Sequence, residues 1–136
     1  MAIRTYRDLE VWQRGMDLAE AAYRLTAQFP TEERFGLTSQ IRRSAVSIPA
    51  NIAEGHGREK SGSFASFLRI SRGSLRELET HLLLAERVGI APPHSTSEMV
   101  TAIDELGRRL HSLLGKVEAG RSPRAAANRQ PTTDHS

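Results

Sequence analysis

The chain is predicted to be all-α, an antiparallel up-down-up-down four-helix bundle, and three observations predict it. Apolar residues recur at steps of three and four in four segments of about 20–26 residues, the signature of amphipathic helices. The segments are separated by short connectors rich in Pro, Gly and Ser, and no stretch alternates with the period of a strand. At 136 residues, four such helices form one domain most economically as a bundle whose neighbours run in opposite directions.

The first helix is expected over Tyr6 to Phe29, with Thr5 and Asp8 making a capping-box-like start. Leu9, Trp12, Met16, Ala19 and Tyr23 form one apolar stripe, and Val11, Gly15, Leu18, Ala22, Leu25 and Phe29 form a second beside it. Two stripes predict a wide buried face touching two neighbours. Phe29-Pro30 ends the run, because a residue before proline avoids the α region.

Thr31 is the expected N-cap of the second helix, with Glu32 and Glu33 where the helix dipole favours them. Leu37, Ile41, Ala45, Ile48 and Ile52 are its inward stripe, and Gly55-His56-Gly57 is expected to stop it as a left-handed cap. Pro49 lies inside it, where proline removes a hydrogen bond and crowds the carbonyl of Ala45, so a kink is expected. Asn51 is expected to bond to backbone opened by Pro49, and Glu54 to pair with a buried arginine. The alternative for Asn51 and Glu54 is a polar pocket for a ligand or an RNA backbone.

Ser61 or Ser63 opens the third helix. Phe64, Phe67, Leu68, Ser71, Leu75, Leu78, Leu82 and Ala85 face inward, and Gly89 ends it. Gly73, in mid-helix, is expected to mark a close approach to the second helix. Ser95 and Glu98 read as a capping box for the fourth helix, whose stripe is Met99, Ile103, Leu106, Leu110, Leu113 and Val117. The expected division is a bundle over 1–119 and a disordered tail over 120–136, where the composition turns to Arg, Ala, Pro, Thr and Ser.

Composition narrows the function. Without cysteine there is no disulfide or thiolate chemistry, and no apolar run suits a membrane span or a signal peptide. The expectation is a cytoplasmic protein that does not engage the membrane. Metal binding is not expected: the Glu-x-x-His motif of di-iron bundles is missing before His56, His81 and His111. Glu77 and His81 alone supply too few ligands. No serine sits in a nucleophile elbow, and Gly55-His56-Gly57-Arg58 lacks the ending of a phosphate loop. The reading is therefore a non-enzyme with no cofactor.

The charge is more suggestive in kind than in amount. The net charge is only +3, yet 17 of the 19 cations are arginine. Arginine suits bidentate contacts to phosphate, and a GC-rich genome gives the same bias. Arg69, Arg72 and Arg76 share one side of the third helix, and Arg42 and Arg43 lie on the second. With Arg58 and Lys60 at the intervening loop, one surface of up to seven cations is expected, able to bind a phosphate backbone. Base stacking is not expected, because aromatics are 5% of the chain. The alternative is a solvated face, or salt bridges between subunits to Glu10, Glu20 or Glu86.

Several motifs occur together and in order: Asp8-Leu9-Glu10-Val11-Trp12, Phe29 to Leu37, Gln40 to Gly55, and Gly73 to Leu82. Over roughly residues 6–118 the chain thereby resembles the four-helix-bundle proteins encoded in intervening sequences of the large-subunit rRNA gene. To the same group belongs the accessory variability determinant of diversity-generating retroelements. The resemblance implies a homo-oligomer, a pentameric ring with a basic surface or channel. For the retroelement branch it also implies binding to nucleic acid and to a reverse transcriptase. Together with the arginines, it gives the expected function: a non-enzymatic oligomer that binds RNA or DNA electrostatically, as an accessory to a ribonucleoprotein or reverse transcriptase. The alternative is a protein–protein adaptor or scaffold whose arginines make subunit contacts.

Overall fold

A computed structural model describes residues 2–58 and 61–120, which form four α-helices and no strand. They are α1 (Glu10–Thr26), α2 (Leu37–His56), α3 (Ser61–Arg87) and α4 (Ser97–Gly120). The expected tail and Lys60 lie outside the described residues, apart from Gly120, the last residue of α4.

The inward stripes read from the periodicity form the core. Ile41, Ala45, Ile48 and Ile52 of α2 are wholly buried, as are Leu68, Leu75, Leu78 and Leu82 of α3 and Ile103 and Leu106 of α4. On α1 the stripe through Val11, Gly15, Leu18 and Ala22 is buried. The companion stripe is only partly so: Met16 is 45% and Tyr23 47% exposed. Each helix packs on its sequence neighbour, and α1 packs on α4. The contacts run in opposite senses along the α1–α2 and α2–α3 pairs. Thr26 meets Arg42 while Gly15 meets Pro49, and Ser74 meets Ser47 while Phe64 meets Gly55.

Several ends differ from expectation for local reasons. The Thr5–Asp8 capping box forms, but it caps a single 3₁₀ turn over Tyr6–Asp8. Leu9 is extended (φ −75°, ψ 128°), so α1 starts only after it. Thr31 likewise opens only a 3₁₀ turn, Thr31–Glu33, and α2 begins six residues later at Leu37. Its first amide is capped by Glu33, whose Oε1 accepts from Leu37 N at 3.0 Å.

The close approach expected at Gly73 falls at Gly55 instead. Gly57 follows α2 in right-handed backbone (φ −76°), and Gly55 lies buried inside the helix. A Cβ on Gly55 would stand 2.6 Å from Phe67 Cβ and 3.1 Å from Phe64 Cδ1, so Gly55 marks a close approach of α2 and α3. A Cβ on Gly73 would meet nothing within 4 Å, so Gly73 is no approach point. On the other side of α2, the absent side chain of Gly15 admits Ile48 and Pro49, each 3.3 Å from where its Cβ would be. Helix α2 continues through Pro49 without interruption.

Asn51 does bond to backbone, donating to the Ser47 carbonyl (2.8 Å) and to Ser47 Oγ (2.9 Å). Glu54 finds no buried partner; it pairs one turn on with Arg58, and both side chains are half exposed.

The α3–α4 connection is built around Glu86. Gly89 leaves α3 at φ +81°, and the amides of Ile90 and Ala91 both return to the Ala85 carbonyl, a glycine C-cap. Glu86 then accepts from His94 N at 3.0 Å, from Thr96 N at 3.1 Å and from the Thr96 hydroxyl. Thr96, not Ser95, is the buried residue preceding α4, and Ser95 Oγ turns back to the Pro92 carbonyl at 2.7 Å. The expected Ser95–Glu98 box is thus replaced by a clamp reaching from the end of α3. The Thr96 hydroxyl first, then the His94 and Thr96 amides, hold the Glu86 carboxyl below its ordinary value of 4.5.

Two outcomes follow from this packing. Gly55→Ala must displace Phe67 and should lower unfolding free energy by about 1–3 kcal/mol in urea titration, whereas Gly57→Ala should not destabilise. Equal effects would contradict the close approach. Because the Glu86 pKa is depressed on folding, its stabilisation is complete above pH 4.5 and is lost as pH falls through the lower folded-state value. A Glu86→Gln chain should therefore show a flatter acid-side stability profile by circular dichroism.

Candidate nucleic-acid interface

The packing of α3 decides where its arginines go. One flank faces α2: Ser71 Oγ donates to the Ile48 carbonyl (2.9 Å), and Ser74 and Ser47 share a hydroxyl bond of 2.8 Å. The opposite flank therefore turns to α4. There Arg69, Arg72, Gly73 and Arg76 face Asp104, Gly107, Arg108 and His111 across an open groove of about 880 Å³. Arg76 extends over α4, its Nη2 3.6 Å from the Cβ position of Gly107.

These cations are not equally committed. Arg69 pairs with Glu118, and Arg76 with Glu79 at 3.0 Å. Arg72 and Arg108 form no ion pair among the described residues. Asp104 is the one carboxylate in the groove lining.

Arg42, Arg43 and Arg58, the other predicted cations among the described residues, are not on this surface. Arg42 lies in the α1–α2 seam, its Nε donating to Thr26 Oγ1 (2.8 Å) and its guanidinium 4.3 Å from the centre of the Tyr23 ring. Thr26 Oγ1 in turn donates to the Ala22 carbonyl at 2.8 Å, which leaves its lone pairs for the arginine. Arg43 lines a separate polar recess with Gln40, Ser44, Ser47, Glu77 and His81. Arg58 is taken up by Glu54 at 2.5 Å and by the Phe67 ring at 5.2 Å. The expected single surface is thus divided among three seams, since turning about a helix by one residue moves a side chain about 100°.

Arg108 and His111 entered the groove without having been singled out in the sequence. Their i, i+3 spacing was a signal, although the adjacent Arg109 is chemically identical. Arg109 faces α1 instead. It bonds Glu10 at 2.9 Å and Glu105 at 3.4 Å, and Arg14 bonds the same two carboxylates at 3.0 and 3.5 Å. Glu20 is held by Arg24 at 2.5 Å and Glu86 by the connecting loop, so all three glutamates proposed as intersubunit partners are engaged within the chain. His81 is half-buried, and its Nδ1 is buried without a hydrogen-bond partner.

No group of three or more His, Asp or Glu suited to a metal ion occurs among the described residues. No described helix is long and apolar enough to cross a membrane.

The model of the 23S rRNA-intervening sequence protein family matches residues 7–112, which include most of all four helices and both walls of the groove through His111. The chain belongs to that family. Among solved structures, the chain is similar to a protein of unknown function from the S23 ribosomal protein family of Bacteroides thetaiotaomicron. The two superpose with a TM-score of 0.68 at 23% identity, covering 76% of this chain and 97% of the other, a likeness of fold. No curated protein matches the chain.

Arg42 should behave as a structural residue. Arg42→Ala should lower unfolding free energy by about 1–2 kcal/mol through loss of the Thr26 bond and the Tyr23 contact. Arg43→Ala should change it by under about 0.5 kcal/mol. Urea titration of the two variants compares them directly.

Proposed function

We propose that this protein is a non-enzymatic oligomer that binds RNA or DNA through the α3–α4 groove, serving a ribonucleoprotein or a reverse transcriptase as an accessory. The observation that carries the reading is the pair Arg72 and Arg108, one on each wall of the groove and neither in an ion pair among the described residues. Arginines left uncompensated on opposing walls favour an anionic ligand between them, and a phosphate backbone matches their fork geometry. The lining holds no Phe, Tyr or Trp, and His111 supplies its one ring, which favours backbone contact over extended base stacking. Membership of an rRNA intervening-sequence family is consistent with an RNA context. The retroelement connection rests on the motif resemblance alone.

Self-association is part of the proposal, with a pentameric ring as the form the resemblance implies. Leu83, Leu84 and Val88 near the end of α3 are 51%, 44% and 57% exposed, an apolar area that a second subunit would cover. The same surface supports the second reading, a protein–protein adaptor that binds no nucleic acid.

Nucleic-acid affinity measured by fluorescence anisotropy across a salt series separates the two readings. The double variant Arg72→Ser/Arg108→Ser should bind at least tenfold more weakly, and its slope of log affinity against log salt should be shallower by about 1.4–1.8. Native mass spectrometry of the same sample should show an unchanged oligomer. Wild-type binding that is insensitive to salt, or absent, would favour the adaptor.

A further inference from the structure

We propose, on the self-association reading above, that Phe35 and Arg34 dock together into the α1–α4 recess of a second copy of this chain. The phenyl ring enters the apolar part of the recess, and the guanidinium meets Asp17 and Glu98 beside it.

Phe35 is 84% exposed, whereas no other large apolar side chain listed by exposure among the described residues exceeds 57%. The backbone that presents it is hydrogen-bonded on both sides. The Thr31–Glu33 turn precedes it, the Gly36 amide donates to the Glu33 carbonyl at 2.9 Å, and the Leu37 amide donates to Glu33 Oε1 at 3.0 Å. Arg34 lies over the ring, its guanidinium 4.8 Å from the ring centre. It forms no ion pair among the described residues. A ring and an arginine held out to solvent on a fixed turn are the side chains that protein interfaces favour, and burying the ring against a partner recovers the cost of its exposure.

The recess matches this pair in size and in charge. Leu18, Ala21, Met99 and Ala102 line a depression of about 240 Å³ between α1 and α4. An apolar cavity of about 150 Å³ takes up benzene, so a phenyl ring has room. The rest of the lining is Arg14, Asp17 and Glu98. Arg14 is engaged by Glu10 and Glu105. Asp17 and Glu98 form no ion pair among the described residues. Two uncompensated carboxylates beside an apolar floor repel a phosphate backbone and favour a cation carried next to an apolar group. Residues 121–136 supply cations but no large apolar side chain, so the chain's own C-terminal segment meets only half of that requirement. Arg34 and Phe35 meet both.

Phe35 belongs to the α1–α2 connection and the recess to the α1–α4 seam, so the two patches are unlike. A contact between unlike patches adds copies head to tail, and closes into a ring where the rotation allows.

The test uses the full chain, with native mass spectrometry and sedimentation at matched concentrations. Phe35→Ser removes the ring and Ala102→Phe fills the recess, and each should give smaller species with unchanged helical circular dichroism. Ala21→Phe replaces Ala102→Phe if the latter loses helicity. Mixed together, the ring-deleted and recess-filled chains should form a one-to-one pair, because each retains the half that the other lacks. Arg34→Glu should weaken association about tenfold, and Asp17→Arg added to it should restore assembly. Wild-type assembly in Phe35→Ser overturns the docking, as does a mixture that forms no pair. If Leu83→Ser disperses the assembly while Phe35→Ser does not, the docking is wrong and self-association stands. A wild-type chain that is monomeric at every concentration overturns both.

Discussion

Helix α2 is held between α1 and α3 at two points where a side chain is missing. Ile48 and Pro49 close onto Gly15, and Gly55 closes onto Phe64 and Phe67. These contacts set the spacing of three helices, and the polar bonds between them are possible only at that spacing. Ser71 reaches the Ile48 carbonyl, and Ser47 meets Ser74, because the backbones are already close. With one flank of α3 fixed in this way, its rotation is fixed, and Arg72 and Arg76 have only the α4 side to occupy. The groove is therefore a consequence of packing on the far side of the same helix.

The seams around the core differ in chemistry. The α2–α3 seam carries hydroxyls and an amide, with Asn51 and Ser47 bonded along α2 and Ser47 bonded across to Ser74. The α1–α4 seam carries two arginines and two carboxylates in a closed alternating ring. Isolated exposed pairs contribute little, but a network with each group doubly engaged orients both helices. The α3–α4 seam has no comparable closure at its middle. Its ends are tied by Glu118 to Arg69 and by Glu86 to Thr96, and between them lie the arginines of the groove.

Helix identity and the core were legible in the sequence because burial imposes a 3.6-residue period that alternatives do not mimic. The stripes of α2, α3 and α4 became core residues nearly position for position. Relations between helices were less legible. Gly55 and Gly73 are both glycines in apolar surroundings, and only the partner helix decides which of them is a contact. For the same reason the sequence placed Arg42 on a binding surface, although the hydroxyl that receives it, on Thr26, is sixteen residues away. Arg108 and Arg109 are adjacent and chemically identical, yet one enters the groove and the other joins the ring with Glu10. A periodic pattern shows which face is inward; it does not say which outward flank meets which neighbour.

The α1–α4 ring joins Glu10 to Arg109, residues 99 positions apart. Synthesis proceeds from the N-terminus, so α1, α2 and α3 are available to one another before the last helix has left the ribosome. During that interval the flank of α1 awaiting α4 presents Glu10, Arg14 and Asp17 around Leu18 and Ala21. Those charges act as gatekeepers on the unfinished side, keeping it hydrated and a poor template for aggregation. The α1 half of the ring that later closes the bundle thus also serves the chain while it is only three helices long.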